Sequence, residues 1–140
     1  VNLIGFTFNE CQAKFGGAVY VYSNSTENSV IIKKCIFSGN KATASDSDSD
    51  ELYGGSAVFL AVQKGMMIRN TFRENSGDGG SVKIYNNFDT NINGMKLLND
   101  NVLLISDCSF EINKNSDCCL FYLRGNNGAF VKLQKCSFSG

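Results

Sequence analysis

Apolar and polar residues alternate along this chain in short runs. Ala18-Val19-Tyr20-Val21, Ala57-Val58-Phe59-Leu60, Ser81-Val82-Lys83-Ile84 and Leu120-Phe121-Tyr122-Leu123 each follow a pair of small residues. Those pairs are Gly16-Gly17, Gly55-Ser56, Gly79-Gly80 and Cys118-Cys119. A second alternation (Val30-x-Ile32, Met67, Leu103-x-Ile105, Val131-x-Leu133) leads into Cys35, Asn70, Cys108 and Cys136. Period-two runs bounded by Gly, Asn and Ser predict short strands joined by turns. No stretch carries helical spacing with caps.

The runs belong to an internal repeat. Its marker is a Phe two residues after a Cys or its substitute, at Phe8, Phe37, Phe72, Phe110 and Phe138, spaced 29, 35, 38 and 28 residues apart. Three residues after the Phe comes Cys11, Asn40, Asn75 or Asn113. Length varies at two fixed points only, with insertions over about 41–53 and 86–101. Insertions confined to fixed points of a repeat are what surface loops of a stacked array look like.

A unit of ~28 residues with short strands and no helix predicts one coil of a parallel β-helix, about four coils in all. Coils stacked ~4.8 Å apart place equivalent residues on top of one another. Val19, Val58, Val82 and Phe121, with Val21, Leu60, Ile84 and Leu123, then fill the interior. The five repeat Phe residues form an interior aromatic stack. Asn40, Asn75 and Asn113 form an amide ladder at an inward turn.

The tetrapeptides Gly16-Gly17-Ala18-Val19, Phe37-Ser38-Gly39-Asn40, Phe72-Arg73-Glu74-Asn75 and Phe110-Glu111-Ile112-Asn113 resemble the paired GGA[IV] and FxxN motifs of polymorphic outer-membrane protein repeats, found in bacterial and protist surface proteins. One GGA[IV] is intact and the others are degenerate. The resemblance spans essentially the whole chain. It implies a right-handed parallel β-helix and a secreted or surface, adhesin-like role, and it names no ligand.

With 13 basic and 13 acidic residues, no charge excess steers the chain to nucleic acid or anionic lipid. No run of 18 apolar residues predicts a transmembrane helix. The whole chain reads as a single β-helix segment, 1–140, expected to continue in further coils or to stack end to end on another copy. Val1 to Phe8 and Val131 to Phe138 share the pattern Val-x-Leu-x-x-[Phe/Cys]-x-Phe. A structural stalk or filament is therefore the alternative to a binding role.

Chemistry-bearing residues are sparse. The chain has no His, and no two carboxylates fall in adjacent strand columns, so neither a polysaccharide-cleaving pair nor a metal site is expected. No cofactor is expected either. Cys108 and Cys136 fall in one column on adjacent coils, within reach of a disulfide, although a small buried hydrophobe serves the same position. Ser45 to Glu51 is an acidic insertion that lacks calcium-loop spacing. Asn24-Ser25-Thr26 is a glycosylation sequon on a turn. Tyr20, Phe59, Lys83 and Tyr122, with Tyr22, Tyr85 and Arg124 one alternation further on, point away from the interior. They form a candidate outer face for a glycan or cell-surface protein. Cross-strand stacking, or cover by a loop, explains the same pattern without a ligand.

Overall fold

A computed structural model describes residues 1–23, 28–43, 54–62, 64–77, 80–86, 102–113, 121–125 and 130–140. These residues are all-β, with no helix among them. The chain runs through β1 (Asn2–Ile4), β2 (Thr7–Asn9), β3 (Gln12–Ala13) and β4 (Val19–Tyr22), then β5 (Ser29–Lys33), β6 (Ile36–Ser38), β7 (Lys41–Ala42) and β8 (Val58–Ala61). It continues through β9 (Lys64–Ile68), β10 (Thr71–Arg73) and β11 (Val82–Asn86), then β12 (Val102–Ser106), β13 (Ser109–Glu111) and β14 (Phe121–Gly125), and ends in β15 (Phe130–Gln134) and β16 (Ser137–Ser139).

The strands form parallel sheets ordered β1-β5-β9-β12-β15, β2-β6-β10-β13-β16 and β4-β8-β11-β14, with β3 beside β7. Successive repeat units supply strands to these sheets in the same order, so the strands of each unit pair with those of the next. Register follows the repeat: Phe8, Phe37, Phe72, Phe110 and Phe138 are successive partners, as are Val19, Val58, Val82 and Phe121.

Among the described residues, two sets of equivalent corners flank the β2-β6-β10-β13-β16 sheet, besides the glycine turns that precede β4 and β8. Gly5, Lys34, Arg69, Asp107 and Lys135 occupy one, with φ of 73°, 54°, 56°, 54° and 49°. Glu10, Gly39, Glu74 and Ile112 occupy the other, with φ of 54°, 63°, 55° and 47°. A residue with a Cβ resists this left-handed conformation by about 1–2 kcal/mol. It is held here because the corner N–H still bonds the next circuit, as from Lys34 to the Ile68 carbonyl (3.0 Å) and from Arg69 to that of Ser106 (3.0 Å).

The interior holds Val30, Ile32, Met67, Leu103 and Ile105 from one sheet, Val58, Leu60, Val82 and Ile84 from another, and Phe37, Phe72 and Phe110 from the third. The phenyl rings stack with nearly parallel planes, with centroids 5.0, 4.8, 4.8 and 5.0 Å apart from Phe8 to Phe138. One expectation is corrected here. Phe138 belongs to the stack but is 51% exposed in β16.

Candidate binding face and the polar ladders

The face expected to bind begins at the paired small residues. Gly16 (φ 53°) and Gly55 (φ 72°) are equivalent positions, and a Cβ on either would lie 2.4 or 2.5 Å from the carbonyl oxygen three residues on, that of Val19 or Val58. A glycine is therefore required to bend the chain tightly into β4 and β8. The same Cβ would also approach Phe59 Cβ to 3.1 or 3.2 Å, so these turns close over the outer side of Phe59.

This closure corrects part of the outer-face expectation. Phe59 points away from the interior cluster, as alternation requires, yet it is fully buried, and Lys83 beside it is 3% exposed. Neither presents a surface. Tyr20 and Tyr22 do, at 43% and 55% exposure, while Tyr85 is half-buried. Tyr122 and Arg124 continue the columns by backbone pairing with Lys83 and Tyr85; their side chains lie outside the described residues. So do Asn24, the acidic insertion Ser45 to Glu51 and the Cys118-Cys119 pair.

The Tyr20 ring stacks on Phe59 at 4.9 Å and tilts against Phe15 at 6.2 Å, and Lys14 Nζ lies 5.2 Å from the Phe15 ring centre. The patch is therefore exposed Lys14, Tyr20 and Tyr22 with the half-buried Phe15. Partial burial, and then the neighbouring Tyr22, push the Tyr20 hydroxyl pKa up. Sequence reading omitted Lys14 and Phe15. Their only signal was their position just before Gly16, where the turn folds them back onto the strand.

The asparagine column is a continuous ladder. Asn40 Oδ1 accepts from the Cys11 N–H, Asn75 Oδ1 from the Asn40 N–H, and Asn113 Oδ1 from the Asn75 N–H, each at 3.0 Å. Their Nδ2 groups donate backward to the carbonyls of Phe8, Phe37 and Phe72 at 3.0–3.1 Å. Asn40 and Asn75 are fully buried.

The cysteine column is a second ladder, and here the disulfide expectation is corrected. Cys108 and Cys136 are free thiols. The single thiol proton of each has two carbonyls in reach: those of Lys33 (3.4 Å) and Leu3 (3.5 Å) for Cys35, Ser106 (3.3 Å) and Met67 (3.5 Å) for Cys108, and Gln134 (3.4 Å) and Ile105 (3.7 Å) for Cys136. Asn70, the substitute in this column, donates from Nδ2 to the Ile32 carbonyl at 2.9 Å, while its Oδ1 accepts from the Cys35 N–H at 2.9 Å. The thiols and the Asn70 amide thus lie beside carbonyls that the repeat makes equivalent, those of Leu3, Ile32, Met67 and Ile105. Burial pushes the Cys108 thiol from 9.0 up to about 11, opposed by hydrogen bonds from Asn70.

Among the described residues no group of His, Cys, Asp or Glu is placed to hold a metal, and no helix is long and apolar enough to cross a membrane. No protein-family model, curated protein or solved structure matches this chain.

Proposed function

We propose that this chain is a length of right-handed parallel β-helix of the polymorphic outer-membrane repeat type. In this reading it is a non-catalytic module displayed outside the cell, which presents its outer face to a glycan or a cell-surface protein. The observation that carries the reading is the unbroken register of the Phe, Asn and Cys columns through successive circuits. It supports a β-helix because only stacked circuits of one hand keep such columns aligned, and parallel crossovers are almost always right-handed. The GGA[IV] and FxxN resemblance adds the surface role. The interior columns are occupied by packing and hydrogen bonding. The exposed Tyr20-Tyr22 strand with Phe15 and Lys14 offers an aromatic surface to a ligand, since aromatic rings stack on the apolar faces of sugars and peptides.

A glycan array and a cell-binding assay test this. Binding by the purified chain should fall at least about tenfold in a Tyr20→Ser, Tyr22→Ser variant, the loss expected for removing stacked aromatics. Absence of binding to any glycan or cell, or retention of binding by the variant, would refute the reading.

A further inference from the structure

A different face carries the strongest unexplained pattern. On the sheet β1-β5-β9-β12-β15, the columns Val30, Gly65, Leu103 and Ile32, Met67, Ile105 face the interior. The alternate positions face out and should be polar. Instead, Ile31, Met66 and Leu104 are successive register partners, with Ile68 and the 52%-exposed Ile4 in the next outward column. Ile31, Met66, Ile68 and Leu104 are only partly covered, and none packs against the interior cluster.

The apolar stripe has a cationic border. Lys64 stands on one side of the Ile31-Met66-Leu104 column, Lys33 lies between Ile4 and Ile68 in the outward column on its other side, Lys132 closes one end, and Lys34, Arg69 and Lys135 line the adjoining corner. Against these six cations stands one carboxylate among the described residues of these strands and this corner, Asp107, which accepts a hydrogen bond from Ser106 Oγ. The chain as a whole is neutral, so this bias belongs to the face.

We propose that this face docks an acidic amphipathic helix of a partner protein. The geometry fits that occupant. The rungs repeat every ~4.8 Å and an α-helix turns every ~5.4 Å. Apolar residues at i, i+3 or i+4, and i+7 therefore fall in turn on Ile31, Met66 and Leu104, and the mismatch over two rungs is only about 1 Å. Five strands span ~19 Å, which a helix of about 12 residues covers. Asp and Glu flanking its apolar stripe meet Lys33 on one side and Lys64 on the other. Ile31, Met66 and Leu104 at the centre of the sheet are partly covered, which offers a helix a continuous seat, with Ile4 exposed at one edge.

The test is selection of displayed helical peptides of about 12 residues, randomised in charge and apolar pattern, on the purified chain, followed by affinity measurement. Enrichment of peptides with an apolar i, i+3/i+4, i+7 stripe flanked by Asp and Glu is expected. Leu104→Asn should weaken the enriched peptide about tenfold or more. Lys33→Glu, a change on the rim, should weaken it and reduce its salt dependence. Unchanged circular dichroism establishes that each variant is folded. The proposal is overturned by no enrichment, by enrichment of basic peptides, by indifference to both substitutions, or by face-dependent flotation with phosphatidylserine vesicles in place of peptide binding.

Discussion

Asn75 Oδ1 lies 3.0 Å from the backbone nitrogen of Asn40, while Asn75 Nδ2 lies 3.0 Å from the carbonyl oxygen of Phe37. One amide thus satisfies a donor and an acceptor of the neighbouring circuit, and it does so in a buried site.

Asn75→Ala is therefore expected to cost about 3 kcal/mol or more, because the buried Asn40 N–H and Phe37 carbonyl both lose a partner at ~1–3 kcal/mol each. Asn113, half-buried in its circuit, should cost less when changed to Ala. Urea unfolding of the two variants checks the order; equal costs would contradict the role of burial.

Phe72→Ala should destabilise by about 3–5 kcal/mol, as for other buried aromatics. Phe138→Ala should cost well under that, since half of its surface is already in water. Thermal unfolding of the pair measures the difference. A similar loss from both would mean that the stack acts as a unit rather than ring by ring.

Gly16→Ala should be more damaging than Gly5→Ala. Both glycines have positive φ, but a Cβ at Gly16 would lie 2.4 Å from the Val19 oxygen, whereas one at Gly5 meets nothing within 4 Å. The Gly5 change carries only the left-handed penalty of about 1–2 kcal/mol. Relative yields of folded protein and unfolding midpoints decide between them.

Raising pH should selectively undermine the cysteine column. The folded Cys108 thiol titrates near 11, above its ordinary 9.0. Between these values the unfolded chain has released the proton and the folded chain has kept it. Stability therefore falls with rising pH in this window, and the contribution is fully present below it. Comparing urea midpoints at pH 8 and 10 should show a smaller drop for Cys108→Ala than for the unaltered chain. Identical drops would sink this account.

Much of the architecture can be read in the sequence because the repeat places like residues in like environments. Phe37, Phe72 and Phe110 are large and apolar at fixed intervals, and Asn40 and Asn75 mark a turn by type and position. The two corners are harder to see. Lys34, Arg69 and Glu74 adopt a conformation for which their side chains give no signal, and what holds them there is pairing with the next circuit. Alternation turns Phe59 and Lys83 to the outside, but it fixes direction and not cover. The apolar outer face was hidden in the same way: Ile31 and Met66 look like interruptions of the alternation until register aligns them.

The repeated register also bears on how such a gene can change length. Every strand meets a partner of its own kind at the same offset, so a recombination event that removes or duplicates the DNA for one whole circuit brings together residues already suited to each other. Joining Cys35 directly to Thr71, for example, would set Phe72 on Phe8 in place of Phe37 and Asn75 beside Cys11 in place of Asn40. A shift of a single codon has no such escape, since it would turn every later side chain in that strand to the wrong side. Inheritance in whole multiples is thus favoured by the same alignment that builds the columns.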